Sequence, residues 1–243
     1  MNVRRTAAPL CGASLALVVG VGCGLTNKKG KDSTTSTIDS GDIIIGDDGG
    51  GVGGDGEIGV VDHCGTIDTD ETWRNNAIHK VGCEVTVRRG TLTIEAGTVV
   101  IFDPNAGLEV GTENDEASLL IQGTAEEPVQ LRTEEDADAD AFWKGVFIGK
   151  NGNGVHIRHT RISKGGNTLR AGLTFNGPVG LLEHVTIEGS GVCGLDLASG
   201  GSLDPSSNNL TITGNGVPVC TIIEALHTLP AGGSDYTGNT VDY

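Results

Sequence analysis

Three segments of this chain repeat at an interval of about 25 residues, and a period of that size points to a solenoid, a propeller or a related array. His159-Thr160-Arg161-Ile162-Ser163-Lys164-Gly165-Gly166 aligns with His184-Val185-Thr186-Ile187-Glu188-Gly189-Ser190-Gly191, and both align with Asn209-Leu210-Thr211-Ile212-Thr213-Gly214-Asn215-Gly216. A fainter copy stands at Gly238-Asn239-Thr240-Val241, and a second column runs through Gly145-Val146-Phe147, Gly172-Leu173-Thr174-Phe175 and Gly194-Leu195-Asp196-Leu197. Propeller blades need about 40 residues, and leucine-rich repeats carry a denser Leu pattern. A coil of three short strands and three turns fits the observed interval. Successive coils then stack in parallel register about 4.8 Å apart. Thr160, Val185 and Leu210, with Ile162, Ile187 and Ile212, become inward columns. Arg161, Thr186 and Thr211, with Ser163, Glu188 and Thr213, face outward.

Shorter β-branched runs precede the repeats: Glu84–Val87, Thr91–Ile94, Thr98–Phe102, Ser118–Gln122, Val129–Thr133, Gly145–Ile148 and Val155–Arg158. Alternation over a few residues between Gly, Asn and Asp signals short strands, and no window shows a helical stripe. Thr91-Leu92-Thr93-Ile94-Glu95-Ala96-Gly97-Thr98-Val99-Val100-Ile101-Phe102 resembles the opening coil of right-handed parallel β-helix proteins of the bacterial surface, with Ala96 where that family usually has Pro. Phe142-Trp143-Lys144-Gly145-Val146 resembles their recurring W-x-G-[IV] coil. The resemblance spans roughly 66–243 and implies an all-β right-handed parallel β-helix of the kind shared with pectate lyases. It implies nothing about activity, because function on a shared fold resides in its sites.

Composition agrees with a narrow solenoid. Two Trp, two Tyr and four Phe in 243 residues, with 37% hydrophobic residues, leave a thin core of Val, Ile and Leu. A net charge of −16 and so few aromatics exclude nucleic acid, which needs a basic footprint or a stacking platform.

The chain up to Asp62 reads differently. Residues 1–22 combine Arg4 and Arg5, no acid, and a short apolar run ending in small residues, which describes a secretory signal rather than a membrane span. Gly20-Val21-Gly22-Cys23 resembles the lipobox of bacterial lipoproteins, with Gly20 where that family favours Leu. The resemblance implies lipidation (palmitate among the acyl chains) at Cys23 and a cell-envelope address, at the outer membrane or cell surface. The alternative is ordinary secretion. Residues 23–62 carry 11 Gly and 8 acids and read as a disordered tether. Gly50-Gly51-Val52-Gly53-Gly54-Asp55 fits part of a Ca²⁺-binding nonapeptide, but a single copy ending in Glu57 reads as a chance match in a Gly/Asp-rich linker. The expected organisation is 1–22 signal, 23–62 tether, 63–84 N-terminal cap and 85–243 parallel β-helix.

Apart from Cys11 and Cys23, four cysteines remain, and an even number in a secreted chain suggests disulfides. Cys193 and Cys220 lie about one coil apart, and stacked neighbours fall within disulfide reach. Cys64 and Cys83 flank the segment before the first coil. The expected pairs are Cys64–Cys83 and Cys193–Cys220.

Chemistry is harder to find. His159 and His184 hold equivalent places with Asn209 next in line. They are either a transition-metal pair or, as weighs more, a ladder at a corner that demands left-handed backbone, where His and Asn are enriched. The acidic run Glu134–Asp140 reads as a solvated loop, with a weak Ca²⁺ site at Asp136, Asp138 and Asp140 as the lesser alternative, so no cofactor is expected. The outward charges Arg158, Arg161, Lys164, Glu188 and Asp196 form no acid pair in one column, as sugar cleavage would need. The expected function is therefore a structural or binding module with a glycan or envelope protein as partner. Two alternatives remain: a polysaccharide lyase or glycoside hydrolase acting on acidic glycans, and an adhesin or assembly component, since the last repeat shows no evident cap.

Overall fold

The computed structural model describes residues 58–112, 114–135, 137–138, 141–167 and 170–241. The signal segment, Cys23 and the tether up to Glu57 lie outside the described residues, as do Asp136 and Asp140 of the acidic loop.

Among the described residues sixteen strands follow one another: β1 Gly59–Ile67, β2 Glu71–Trp73, β3 Ala77–Val87, β4 Gly90–Glu95, β5 Val99–Phe102, β6 Gly107–Val110, β7 Ala117–Gln122 and β8 Val129–Arg132. The second half holds β9 Val146–Ile148, β10 Val155–Ser163, β11 Leu173–Phe175, β12 Val179–Glu188, β13 Cys193–Asp196, β14 Ser202–Leu203, β15 Asn208–Thr213 and β16 Val217–Cys220, then a single helical turn, α1, Ile223–Leu226. All strand pairings are parallel, which a chain achieves only by winding back to the same edge after each coil. The fold is a parallel β-helix.

It has three faces. The first stacks the end of β1, the end of β3, then β6, β9, β11, β13 and β16. Its inward column Val85–Leu108–Val146–Leu173–Leu195–Val219 is at most 2% exposed along its length. The second face carries β2, β4, β7 and the first halves of β10 and β12, with Trp73, Ile94, Ile121, Ile157 and Leu182 inward. The third face carries the starts of β1 and β3, then β5, β8, the ends of β10 and β12, and β15. There Thr160, Val185 and Leu210 stack, as do Ile162, Ile187 and Ile212, the columns expected from the repeat. Seven strands on the first face make a stack about 30 Å long.

The corner between the second and third faces shows why the repeat begins where it does. His159, His184 and Asn209 adopt φ of 41°, 54° and 52°, so β10 and β12 bend there without breaking. Elsewhere packing selects glycine: a Cβ on Gly180 would strike the fully buried ring of Phe175. Trp143 is also fully buried, stacks on Phe102 at 3.9 Å between centroids, and donates from Nε1 to the Ser163 carbonyl at 2.9 Å.

Both ends differ from the sequence expectation. Residues 63–84 do not stand apart as a cap. They carry β2 and parts of β1 and β3, which pair with the next coil, so they form the first coil of the stack. Trp73 and Ile67 close part of the core there, and the Cys64–Cys83 disulfide (Cα–Cα 5.2 Å) ties β1 to β3 outside it. Cys193–Cys220 joins β13 to β16, with Cα–Cα 5.8 Å. At the other end the last coil is covered. Ala225 enters the core, Leu229 and Tyr236 pack on it, and Asp235 pairs with Thr211 of β15. The fainter repeat copy lies in this covering segment, where Asn239 bonds to Asn215.

Candidate functional site

The outward residues of the third face form a groove because its corner lacks side chains. Ser163, Glu188 and Thr213 stack in register. One place further, Lys164, Gly189 and Gly214 all take left-handed backbone, at φ 54°, 68° and 68°. Two glycines in three coils leave an open floor, and an earlier coil supplies the wall with Arg132, Glu134 and Glu135. The groove holds about 460 Å³.

Its charges are mostly committed to one another. Arg161 donates from Nε and Nη2 to Glu188 Oε1, at 2.6 and 2.5 Å, and Ser163 Oγ donates to the same oxygen at 2.9 Å. Lys164 Nζ donates to the carbonyl of Asp138 at 3.1 Å and to that of Ala137 at 3.4 Å. The ammonium thus sits against the backbone of the acidic loop on which the Ca²⁺ expectation rests. Among the described residues no group of three His, Cys, Asp or Glu side chains is arranged to hold a metal. Arg132 is paired too, but incompletely. Its Nη1 donates to Thr133 O and its Nη2 lies 3.4 Å from Glu135, but its buried Nε has no hydrogen-bond acceptor among the described residues.

Of the outward charges singled out in the sequence, Arg161, Lys164 and Glu188 come together here. Arg158 lies on the second face beside Glu183, whose carboxyl is held below its usual range first by a 2.7 Å hydrogen bond from His156. Asp196 lies on the first face and caps the Ala198 amide at 2.8 Å. His159 and His184 stack at 4.4 Å between centroids and 4° between planes, and Asn209 reaches His184 at 3.3 Å. That is the geometry of a side-chain ladder.

Sequence reasoning missed a second constellation on the first face. Lys144 Nζ bonds Glu84 at 2.6 Å, and Arg170 bonds Glu109 at 2.5 Å while lying 3.8 Å from Glu84. The Arg170 guanidinium also covers the Phe147 ring at 4.9 Å. Burial pushes the Glu84 carboxyl up, but Lys144, then Arg170 and Glu109, outweigh it and hold it below its usual range. Two acids meet two cations here, so the cluster is close to neutral. No protein-family model matches this chain, no curated protein matches it, and no solved structure matches it. The site must be read from its own geometry.

A third polar cluster fills the N-terminal coil. His63, Trp73 and His79 lie ring to ring at 4.2 to 5.4 Å, and Trp73 Nε1 donates to Glu71 at 2.6 Å.

Proposed function

We propose that this chain is a cell-envelope lipoprotein of the bacterial-surface β-helix kind, anchored through Cys23, whose solenoid is a binding module for an envelope glycan. The groove carries this reading. It is open, its floor is bare backbone, and its wall mixes donors and acceptors around an unsatisfied Arg132 Nε. A polyhydroxylated ligand is recognised by such a mixture of polar groups on a preformed surface. The charges that would otherwise serve acid–base chemistry are tied into pairs, which favours binding over catalysis.

The anchor is tested by metabolic labelling with a palmitate analogue: label on the wild type and none on Cys23→Ala is expected, and label surviving the substitution sinks the anchor. The groove is tested by retention on immobilised envelope polysaccharides. Thr213→Trp, which fills the groove from an outward position, is expected to abolish retention; unchanged retention removes the groove from the reading.

A second reading rests on the Glu84–Glu109 pair, since cleavage of an acidic glycan needs two neighbouring carboxylates. Release of new sugar ends from uronic-acid polymers, lost in Glu84→Gln, would favour it.

A further inference from the structure

The groove of the third face carries charges of both signs, and they answer one another within the protein. Arg161 is bonded to Glu188 through Nε and Nη2, Arg132 Nη2 faces Glu135 at 3.4 Å, and Lys80 Nζ faces Glu134 at 3.9 Å. Lys164 pairs with no carboxylate among the described residues, and its ammonium is taken up by the carbonyls of Ala137 and Asp138. The signs also alternate along the groove. Ser163, Glu188 and Thr213 are paired in register, and Arg132 follows Leu131, the partner of Ile162. Guanidinium, hydroxyl, carboxylate and hydroxyl therefore succeed one another in neighbouring coils, about 4.8 Å apart.

That order decides the sign of the occupant. A ligand carboxylate drawn to Arg132 would meet Glu135 on the same guanidinium and Glu188 two coils on, in a chain of net charge −16. A ligand ammonium drawn to Glu188 would meet Arg161 on that carboxylate and Lys164 in the coil before. Like charges brought together across an interface are penalised, and a long-range field of the wrong sign slows the approach. A hydroxyl meets neither obstacle, because it donates to a carboxylate and accepts from a cation or another hydroxyl. Glu188 has room for such a donor. Its Oε1 takes Arg161 and Ser163, while its Oε2 has no donor among the described residues.

The floor is free for the same occupant. Gly189 and Gly214 stand at left-handed φ, but Lys164 and Asn209 reach that region in this fold with full side chains. A Cβ on either glycine would meet nothing closer than 3.7 Å. Packing thus leaves space for side chains at both places, and glycine keeps it empty. Gly238, whose carbonyl accepts from the Gly214 amide at 3.1 Å, continues the bare corner at φ 74°. We propose that the groove takes an uncharged, polyhydroxylated chain, a neutral polysaccharide, and excludes chains that carry uronates or free amines. This rests on the groove being the binding site and narrows its glycan to one class.

The test is retention of the full chain on immobilised dextran, mannan and β-glucan as neutral polymers, polygalacturonate and alginate as acidic ones, and chitosan as a basic one. The expected result is retention on a neutral polymer, constant within about twofold from about 0.05 to about 0.5 M NaCl, and none on the charged polymers. Gly189→Asn and Gly214→Asn each place an amide in the floor with a residue that accepts positive φ. Each should lower retention about tenfold or more at an unchanged urea midpoint. Retention on charged polymers alone, falling with salt and lost in Thr213→Trp, overturns the inference and leaves the groove as the site. Retention that survives Thr213→Trp overturns both. Retention on none of the six polymers overturns the neutral class.

Discussion

His63 Nε2 lies 2.8 Å from His79 Nδ1, and one hydrogen serves that contact. The partners assign it. His79 Nε2 lies 2.9 Å from the Arg74 carbonyl, which can only accept, so His79 carries its hydrogen on Nε2 and accepts at Nδ1. His63 Nε2 is then the donor, and its bare Nδ1 faces Glu71 at 3.6 Å. Both rings are neutral in this chain of bonds. A proton on His79 Nδ1 would set two N–H groups against each other.

Acid should therefore loosen the first coil. Burial lowers the pKa of His63 to about 4, with repulsion from His79 adding to it and Asp62 opposing. His79 is lowered by burial, against the Arg74 carbonyl and Glu71. A histidine with a depressed folded pKa binds more protons when unfolded, so its contribution is whole above pH 6.5 and is lost as pH falls from 6.5 towards 4. For His63 the loss reaches about 3 kcal/mol at the bottom of that window. Urea titrations from pH 7 to pH 4 should show this slope, and His63→Gln, which keeps a donor without a titrating ring, should flatten it. An equal slope in the variant would remove His63 as the cause.

A buried amide ladder supports the last coils. Asn215 is 1% exposed, accepts from the Ser190 amide at 2.9 Å, and donates to the carbonyls of Ile187 and Thr213 at 3.1 and 3.0 Å. Asn239 repeats the pattern one coil on, accepting from the Asn215 amide and donating to Ile212 O. Asn215→Ala strands a buried amide and a buried carbonyl, and should cost about 2–4 kcal/mol in urea denaturation. Asn215→Asp keeps the acceptor but puts a carboxylate against two carbonyls, so it should be no better at neutral pH. A loss below about 0.5 kcal/mol for Asn215→Ala would show that the ladder contributes nothing net.

The parts of this fold that are legible in the sequence are those where coils repeat without insertion. Thr160–Val185–Leu210 and Ile162–Ile187–Ile212 stack because three copies share one spacing, and the left-handed corner shows itself as His159, His184 and Asn209. The first face conceals its cluster because one step there breaks the period: Leu108 pairs with Val146 across the acidic loop, a longer step than any repeat makes. Lys144 meets Glu84 across 60 residues, and Arg170 reaches back from a loop to two earlier coils. No local pattern encodes such a meeting. The N-terminal coil reads as a cap for the same reason, since its step from Val61 to His79 is too short for the rhythm of the later repeats.

Arg170 is the keystone of the first-face cluster. Glu109 is 12% exposed and has Arg170 as its ion-pair partner, while Glu84 retains Lys144. Arg170→Ala leaves the Glu109 carboxylate facing the Phe147 ring without its cation and should cost about 1–3 kcal/mol. Adding Glu109→Gln removes the orphaned charge, so the double variant should recover part of that loss. A double-mutant cycle with no coupling would show that Arg170 acts through packing on Phe147 alone.

The His–His–Asn corner separates backbone need from ligand chemistry. At φ 54° His184 occupies a region that Asn adopts readily and a β-branched residue does not. If the column exists to turn the chain, His184→Asn should leave the urea midpoint unchanged and extend the Asn209 ladder by one rung. His184→Val should lose about 1–2 kcal/mol through strain at the bend of β12, although both variants equally remove the imidazole. If the two histidines instead held a metal, Asn and Val would behave alike, and zinc would raise the melting temperature of wild type and of neither variant. The stacked, nearly parallel rings and the shared positive φ favour the first outcome.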